Sequence, residues 1–119
     1  MPAMQKVRIL NRSDRSIESF DLRVEGEEPP ENFHGSNVQP YRSLPVEGED
    51  RAGLETVTVG TINFVGGPQL QLQSPVQAPA GQFHQAVITV EDPGHVALWA
   101  VWKDAAGVEL VVRREFVPA

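Results

Sequence analysis

Residues 95–118, HVALWAVWKDAAGVELVVRREFVP, hold two alternating apolar runs on either side of the sequence DAAG. Asp at the first position and Gly at the last suit a type I turn whose Gly takes a left-handed conformation as a bulge. Such a turn sets Asp104 opposite Val108 and Lys103 opposite Glu109, where unlike charges attract. A register slipped by one residue would lose this charge pair. We therefore predict a β-hairpin in the first register.

The hairpin register predicts which of the two tryptophans is buried. Trp102 lies on the side that we assign to the core, whereas Trp99, Val101 and Val111 lie on the other side. Arg113 faces Trp99 and can stack on its ring. The outer face of a two-sheet sandwich stays in water unless something covers it. An apolar group there is a candidate contact surface, covered by residues 25–53 or by a partner.

The rest of the chain shows strand-length alternation and no helical period. Turn-forming residues separate seven predicted strands: 6–10, 17–24, 55–65, 69–73, 83–90, 96–103 and 108–117. The first two predict a hairpin, and a change of apolar parity in the third predicts a bulge at Gly60. The pattern indicates an all-β, antiparallel two-sheet sandwich of about seven strands, immunoglobulin-like or jelly-roll-like. It is shared by unrelated domains and specifies no family.

Residues 25–53 interrupt this alternation with four prolines, four glycines and a cluster of acids. A connection of this length is unusual, so we interpret it as a long loop or arm of a single domain spanning residues 1–119. Four of its side chains argue against pure disorder: Phe33, Tyr41, Leu44 and Val46. They pack either on the domain's own sheet or on a neighbouring chain.

Composition restricts the classes of partner. The chain has 119 residues, no cysteine and a net charge of −6. This length can hold one hydrophobic core, and the lack of cysteine excludes disulfides, thiolate metal sites and cysteine nucleophiles. The acidic charge argues against nucleic acids and anionic membranes as partners, because both need a basic surface. Residues 1–10 are too short and polar for a signal peptide and no apolar run is of membrane-spanning length, so we expect a cytoplasmic protein.

No motif for catalysis or cofactor binding stands out. The serines lie in no Gly-x-Ser-x-Gly or Ser-x-x-Lys motif. His34, His84 and His95 lack the spacing of a zinc site. The glycosylation sequon Asn11-Arg12-Ser13 is interpreted as a turn, and a row of acids would suit calcium but has no EF-hand pattern: Glu47, Glu49 and Asp50. We therefore predict no catalytic residue, no metal and no cofactor.

Three functions are compatible with these features. The first is a non-enzymatic protein-interaction or structural module, such as an accessory subunit or a virus-type decoration or capsid-associated protein, bound to another protein chain in a homo-oligomer or larger assembly. Its predicted interface residues are Phe33, Tyr41, Arg42, Leu44, Val46, Trp99, Val101, Val111 and Arg113.

The other two functions require a small-molecule site. In a carbohydrate- or small-ligand-binding module, Trp99 would stack on a sugar and the glutamines of residues 69–73 would supply hydrogen bonds. A groove beside Trp99 would favour this function. A small hydrolase or metalloenzyme would instead use the three histidines, and it requires their rings to lie close together.

Overall fold

The structure, a computed structural model, describes residues 4–26, 29–48, 55–78 and 81–119. Within these ranges all regular secondary structure is β-strand, so the prediction of an all-β domain is confirmed. There is no helix in them that is long and apolar enough to cross a membrane. The strands are β1 (Met4–Asn11), β2 (Ile17–Gly26), β3 (Glu31–Val38), β4 (Arg42–Gly48), β5 (Glu55–Phe64), β6 (Gln69–Leu72), β7 (Gln82–Asp92), β8 (His95–Lys103) and β9 (Glu109–Pro118).

The nine strands form one mixed sheet in the order β3-β2-β5-β6-β9-β8-β7-β1-β4. Strands β1 and β7 run parallel, and the other neighbours are antiparallel. The two outermost strands, β3 and β4, follow each other in sequence through the turn at residues 39–41. The sheet therefore curls until its ends approach, and it is nearly closed into a barrel.

The predicted division into two sheets is not confirmed, because β9 pairs with strands on both of its sides. Residues 109–115 of β9 pair with β8, and residues 116–118 pair with β6. Hydrogen bonding is thus continuous from one edge strand to the other. Inward and outward side chains alternate in the same way in a sandwich and in a barrel, so the sequence pattern fits both.

Residues 25–53 contain two strands rather than one structureless loop. β3 and β4 both lie in this segment, while residues 27–28 and 49–54 are outside the described ranges. Pro40 occupies the turn, and Pro45 lies on an edge strand, the position in a sheet where proline is tolerated. The Phe20 ring and Leu44 pack directly against Gly35, where a side chain would not fit because a Cβ would come within 2.7 Å of both. Gly26, Gly35, Pro45 and Gly48 are therefore accommodated in strands, although their types indicated a loop.

The hairpin predicted from the first two strands does not form. β1 pairs with β4 and β7, whereas β2 pairs with β3 and β5. The backbone N–H of Arg12 donates to Val90 O at 2.8 Å and extends the pairing of β1 with β7. Strands β4 and β3 therefore lie between β1 and β2, where the two ends of the sheet approach each other.

The register of the β8–β9 hairpin is confirmed. Lys103 lies opposite Glu109, Trp102 opposite Leu110 and Trp99 opposite Arg113. The expected charge pair of Lys103 and Glu109 is not among the ion pairs of the described residues. Asp104 Oδ1 accepts hydrogen bonds from the N–H groups of Ala106 and Val108, both at 2.9 Å. Gly107 has a φ of 82°, the left-handed conformation that the turn requires. Local turn chemistry thus fixes the faces of both strands.

The core fills the inside of the barrel around Trp102, which is fully buried. Its ring meets Phe83 edge-on, with centroids 5.7 Å apart. Gly60 faces the core, where a Cβ would come 2.7 Å from Leu22 Cδ2. The predicted bulge at Gly60 is wrong, because the extra residue is Thr58, between the residues paired with Arg23 and Val24. Val59 points outward as a result and is 50% exposed.

Candidate functional site

The outer side of β8 and β9 carries the apolar residues that the hairpin register predicted. Trp99, Val101, Val111 and Arg113 lie outside the core, and we call these four residues the Trp99 face. Trp99 is 38% exposed and Val111 is 54% exposed, whereas Trp102 is fully buried. The predicted placement of the two tryptophans is confirmed. Apolar side chains are therefore exposed to solvent on two paired strands.

The Trp99 ring is held in one orientation by its neighbours. The indole Nε1 donates to Thr89 Oγ1 on β7 at 3.1 Å. The guanidinium carbon of Arg113 lies 5.4 Å from the ring centroid, so the predicted stacking is confirmed. Arg113 Nη1 also donates to Glu115 Oε1 at 3.2 Å. A side chain already fixed in this way loses little freedom on binding.

A depression of about 280 Å³ lies beside Trp99, where β7 turns into β8. Its polar lining comes from five side chains: Thr89, Glu91, His95, Arg113 and Glu115. The volume is just below the range of about 300–1,000 Å³ that is typical of small-ligand sites. The exposed glutamines Gln69, Gln71 and Gln73 do not line it. A groove beside Trp99 thus exists, but without the hydrogen-bonding residues that the sequence suggested.

An Asp–His pair stands at the rim of this depression. His95 Nδ1 lies 3.0 Å from Asp92 Oδ1 and 2.9 Å from Oδ2, and the Gly94 N–H donates to Oδ1 at 2.7 Å. The bond from His95, and then that from Gly94, lowers the pKa of Asp92 below its ordinary 3.8, because both stabilise the carboxylate. Both side chains are exposed, so the pair shapes the turn and is screened by water.

A second depression, of about 270 Å³, surrounds Tyr41 at the β3–β4 turn. Tyr41 is 71% exposed and has a φ of 58°, which is uncommon for a bulky residue. Arg12 and Arg42 line the depression beside it, together with Leu10. Arg42 has no ion pair within the described part of the chain. An exposed aromatic ring and two arginines therefore line one depression.

The sheet order brings the two depressions to one outer surface. Only β1 and β7 separate β4 from β8. Leu10, which lines the Tyr41 depression, pairs with Thr89, whose hydroxyl accepts the hydrogen bond from Trp99. Arg12 Nη1 lies 3.6 Å from Glu91 Oε1, and Glu91 lines the depression beside Trp99. Tyr41 and Trp99 thus belong to one continuous surface.

Three of the predicted interface residues lie elsewhere. Phe33 is 2% exposed inside the barrel and is not available to a partner in this conformation. Leu44 and Val46 are partly buried and pack against the core. These three side chains therefore pack on the domain's own sheet, which is one of the two placements considered for the apolar residues of 25–53. Of the five predicted interface residues in this segment, only Tyr41 and Arg42 are exposed.

Sequence reasoning missed the residues that connect the two depressions, above all Leu10, Thr89 and Glu91. Alternation along β7 and β1 was enough to place Leu10 and Thr89 on the outer side. It did not reveal that β1 and β7 are neighbours, since that pairing is parallel and joins distant parts of the chain. The strand order was therefore the missing information.

The side chains considered for other chemistry are separated or occupied. Within the described ranges, no three His, Asp or Glu side chains are grouped so that they could hold a metal. Glu49 and Asp50, and the side chain of Glu47, lie outside the described residues. Asn11, the sequon asparagine, is 1% exposed, and its Nδ2 donates to the carbonyls of Arg15, Val38 and Gln39. The interpretation of the sequon as a structural turn is consistent with these bonds.

Comparison with known proteins found no match among protein-family models, curated proteins or solved structures. The outer surface of the chain carries two exposed aromatic rings, the arginines beside them and two shallow depressions.

Proposed function

We propose that this chain is a non-enzymatic protein-binding module that contacts another protein chain through the Trp99 face and Tyr41. The observation that carries the proposal is the exposure of Tyr41, Trp99 and Val111 on one outer surface of the sheet. Apolar side chains grouped in this way mark interfaces, whereas scattered ones do not. Contact with a partner would remove them from water.

The residue types of this surface support a protein partner. Tyr, Trp and Arg are enriched among the residues that dominate binding energy at protein interfaces. Trp99 and Arg113 already contact each other and are held by Thr89 and Glu115. Fixed side chains reduce the entropy lost on association. The surface is therefore preorganised for contact with a partner.

Photo-crosslinking tests the proposal with a matched control. A benzophenone amino acid replaces Val111 on the Trp99 face or Val59 on the outer side of β5, in the cells that make the protein. The two valines are 54% and 50% exposed, so their intrinsic access to neighbours is nearly equal. We expect a discrete crosslinked protein band from position 111 and none from position 59. Equal crosslinking from both positions, or none from either, would contradict the proposal.

A second candidate, a small-ligand or carbohydrate site, is favoured by the depression beside Trp99. Its aromatic wall and polar rim are the features that such sites combine. The indole N–H already bonds to Thr89 and one side of the ring meets Arg113, which leaves a sugar less of the ring to stack on. For this reason we place the candidate second.

Titration with neutral mono- and disaccharides, followed by NMR, distinguishes this candidate from the first. The indole N–H signal of Trp99 should move on binding, and that of the buried Trp102 serves as the internal control. Saturable movement of the Trp99 signal alone would support a ligand site. An unchanged spectrum at millimolar sugar would eliminate it.

A further inference from the structure

Side chains that lie opposite each other on β8 and β9 form rows, and neighbouring rows differ in charge and polarity. Lys103 pairs with Glu109, and Val101 with Val111. Both charged residues are exposed, and neither forms an ion pair with any described residue. An apolar pair is therefore bordered by one positive and one negative charge, and no described residue forms an ion pair with either of them.

This arrangement is complementary to itself. A twofold axis parallel to the strands, placed above the sheet between β8 and β9, sets β8 of one copy over β9 of the other in the same row. Lys103 then meets Glu109 of the second copy, and Val101 meets Val111 of the second copy. An isologous interface requires that one patch fit itself in this way. The strands of two packed sheets cross at about 30°. Rows close to the point where the strands cross therefore keep the partners described above.

We propose that the protein bound by the Trp99 face is a second copy of this chain, in a twofold dimer that stacks the β8–β9 hairpins face to face. This inference rests on the proposed function and names its partner. The net charge of −6 opposes association. The row of Lys103 and Glu109 is neutral, however, and charges beyond about 8 Å are largely screened at physiological salt. Local complementarity therefore outweighs the overall repulsion.

Charge reversal on each side of the proposed contact gives a specific test. Lys103→Glu and Glu109→Lys each place like charges across the interface, and each should weaken self-association by at least about tenfold. An equimolar mixture of the two variants should associate at the wild-type concentration, because each like pair is replaced by an unlike one. The double variant Lys103→Glu/Glu109→Lys should also self-associate like the wild type. Sedimentation equilibrium over a concentration series measures all four.

The ion pair of Arg23 and Glu25 on β2 supplies matched controls, with its charged atoms 2.8 Å apart. Arg23→Glu and Glu25→Lys change the net charge by the same amounts on a strand that belongs to the other half of the sheet order. Their self-association should equal that of the wild type. Equal weakening by these controls would show that net charge alone governs association and would overturn the proposal, as would a mixture that fails to associate.

The outcome for the dimer is distinguishable from that for the proposed function. A wild-type chain that stays monomeric to millimolar concentration overturns the second copy as partner. If position 111 still crosslinks to a different protein, the binding function survives this result. A dimer whose affinity none of the charge variants changes would place the contact on another surface, and this too overturns the inference.

Discussion

Trp99 and Trp102 show how position on one strand decides the role of a residue. They are three positions apart on β8 and therefore face opposite sides of the sheet. Trp102 is enclosed and contacts Phe83, whereas Trp99 lies on the surface between Thr89 and Arg113. The same side chain is thus a core residue in one place and a contact residue in the other.

Replacement of each tryptophan by alanine should therefore have unequal effects on stability. Trp102→Ala leaves a cavity and should lower the free energy of unfolding by about 3–5 kcal/mol. Trp99→Ala removes one hydrogen bond and one cation–π contact at the surface, worth about 1–2 kcal/mol together. Urea unfolding followed by circular dichroism measures both. A larger loss for Trp99→Ala would contradict the observed burial.

The carboxyl group of Asp92 should titrate below its ordinary pKa of 3.8, because His95 and the Gly94 N–H favour its charged form. A depressed pKa in the folded state contributes stability above the unfolded pKa, and this contribution disappears as the pH falls through the folded pKa. His95→Ala removes the largest cause, so the pKa should rise towards 3.8. The ¹³C chemical shift of the Asp92 carboxyl carbon, followed against pH, measures this pKa. As a control, His34→Ala, on β3, should leave the titration midpoint of Asp92 unchanged.

At the scale of elements, Asn11 joins β1 to the turn between β3 and β4. Its Nδ2 donates to Val38 O at 3.3 Å and to Gln39 O at 3.2 Å, and its Oδ1 accepts from Ser13 Oγ at 2.6 Å. These bonds lie where the two ends of the sheet approach. The side chain therefore helps to hold the edge strands together.

Asn11→Ala should weaken this closure. Buried polar groups that lose their partner cost about 1–3 kcal/mol each, so the free energy of unfolding should fall by at least about 2 kcal/mol. Amide hydrogen exchange should accelerate most in β4. Asn63→Ala is the control, because its bond to Ser19 Oγ is only partly buried, and it should cost less than about 1 kcal/mol. Equal losses for the two variants would argue against the role of Asn11.

At the scale of the whole molecule, β9 unites the two halves of the sheet. It pairs with β8 through most of its length and with β6 at its end. Phe116 on β9 is 4% exposed, and its ring lies close to Gly60 on β5. One core therefore extends through both halves.

This continuity predicts a single cooperative unfolding transition. Tryptophan fluorescence reports on β8, which carries both tryptophans, and the NMR signal of Ile62 reports on β5. The urea midpoints of the two signals should coincide. Phe116→Ala should move both midpoints by the same amount, equivalent to about 3–5 kcal/mol. Two separated transitions would show that the halves fold independently.

The local features could be predicted from the residues alone: the strand class, the β8–β9 register and the opposite burial of the two tryptophans. Each depends on alternation or turn chemistry within a few residues. Three features required the folded sheet: the pairing of β1 with β7, the two strands within residues 25–53, and the exposure of Tyr41 on the surface of Trp99 while Phe33 is buried. These outcomes depend on strand order, and pairing between distant segments leaves no periodic signal along the chain. An alternating pattern specifies which side chains share a face, and the packing of the whole sheet selects the neighbour that the face meets.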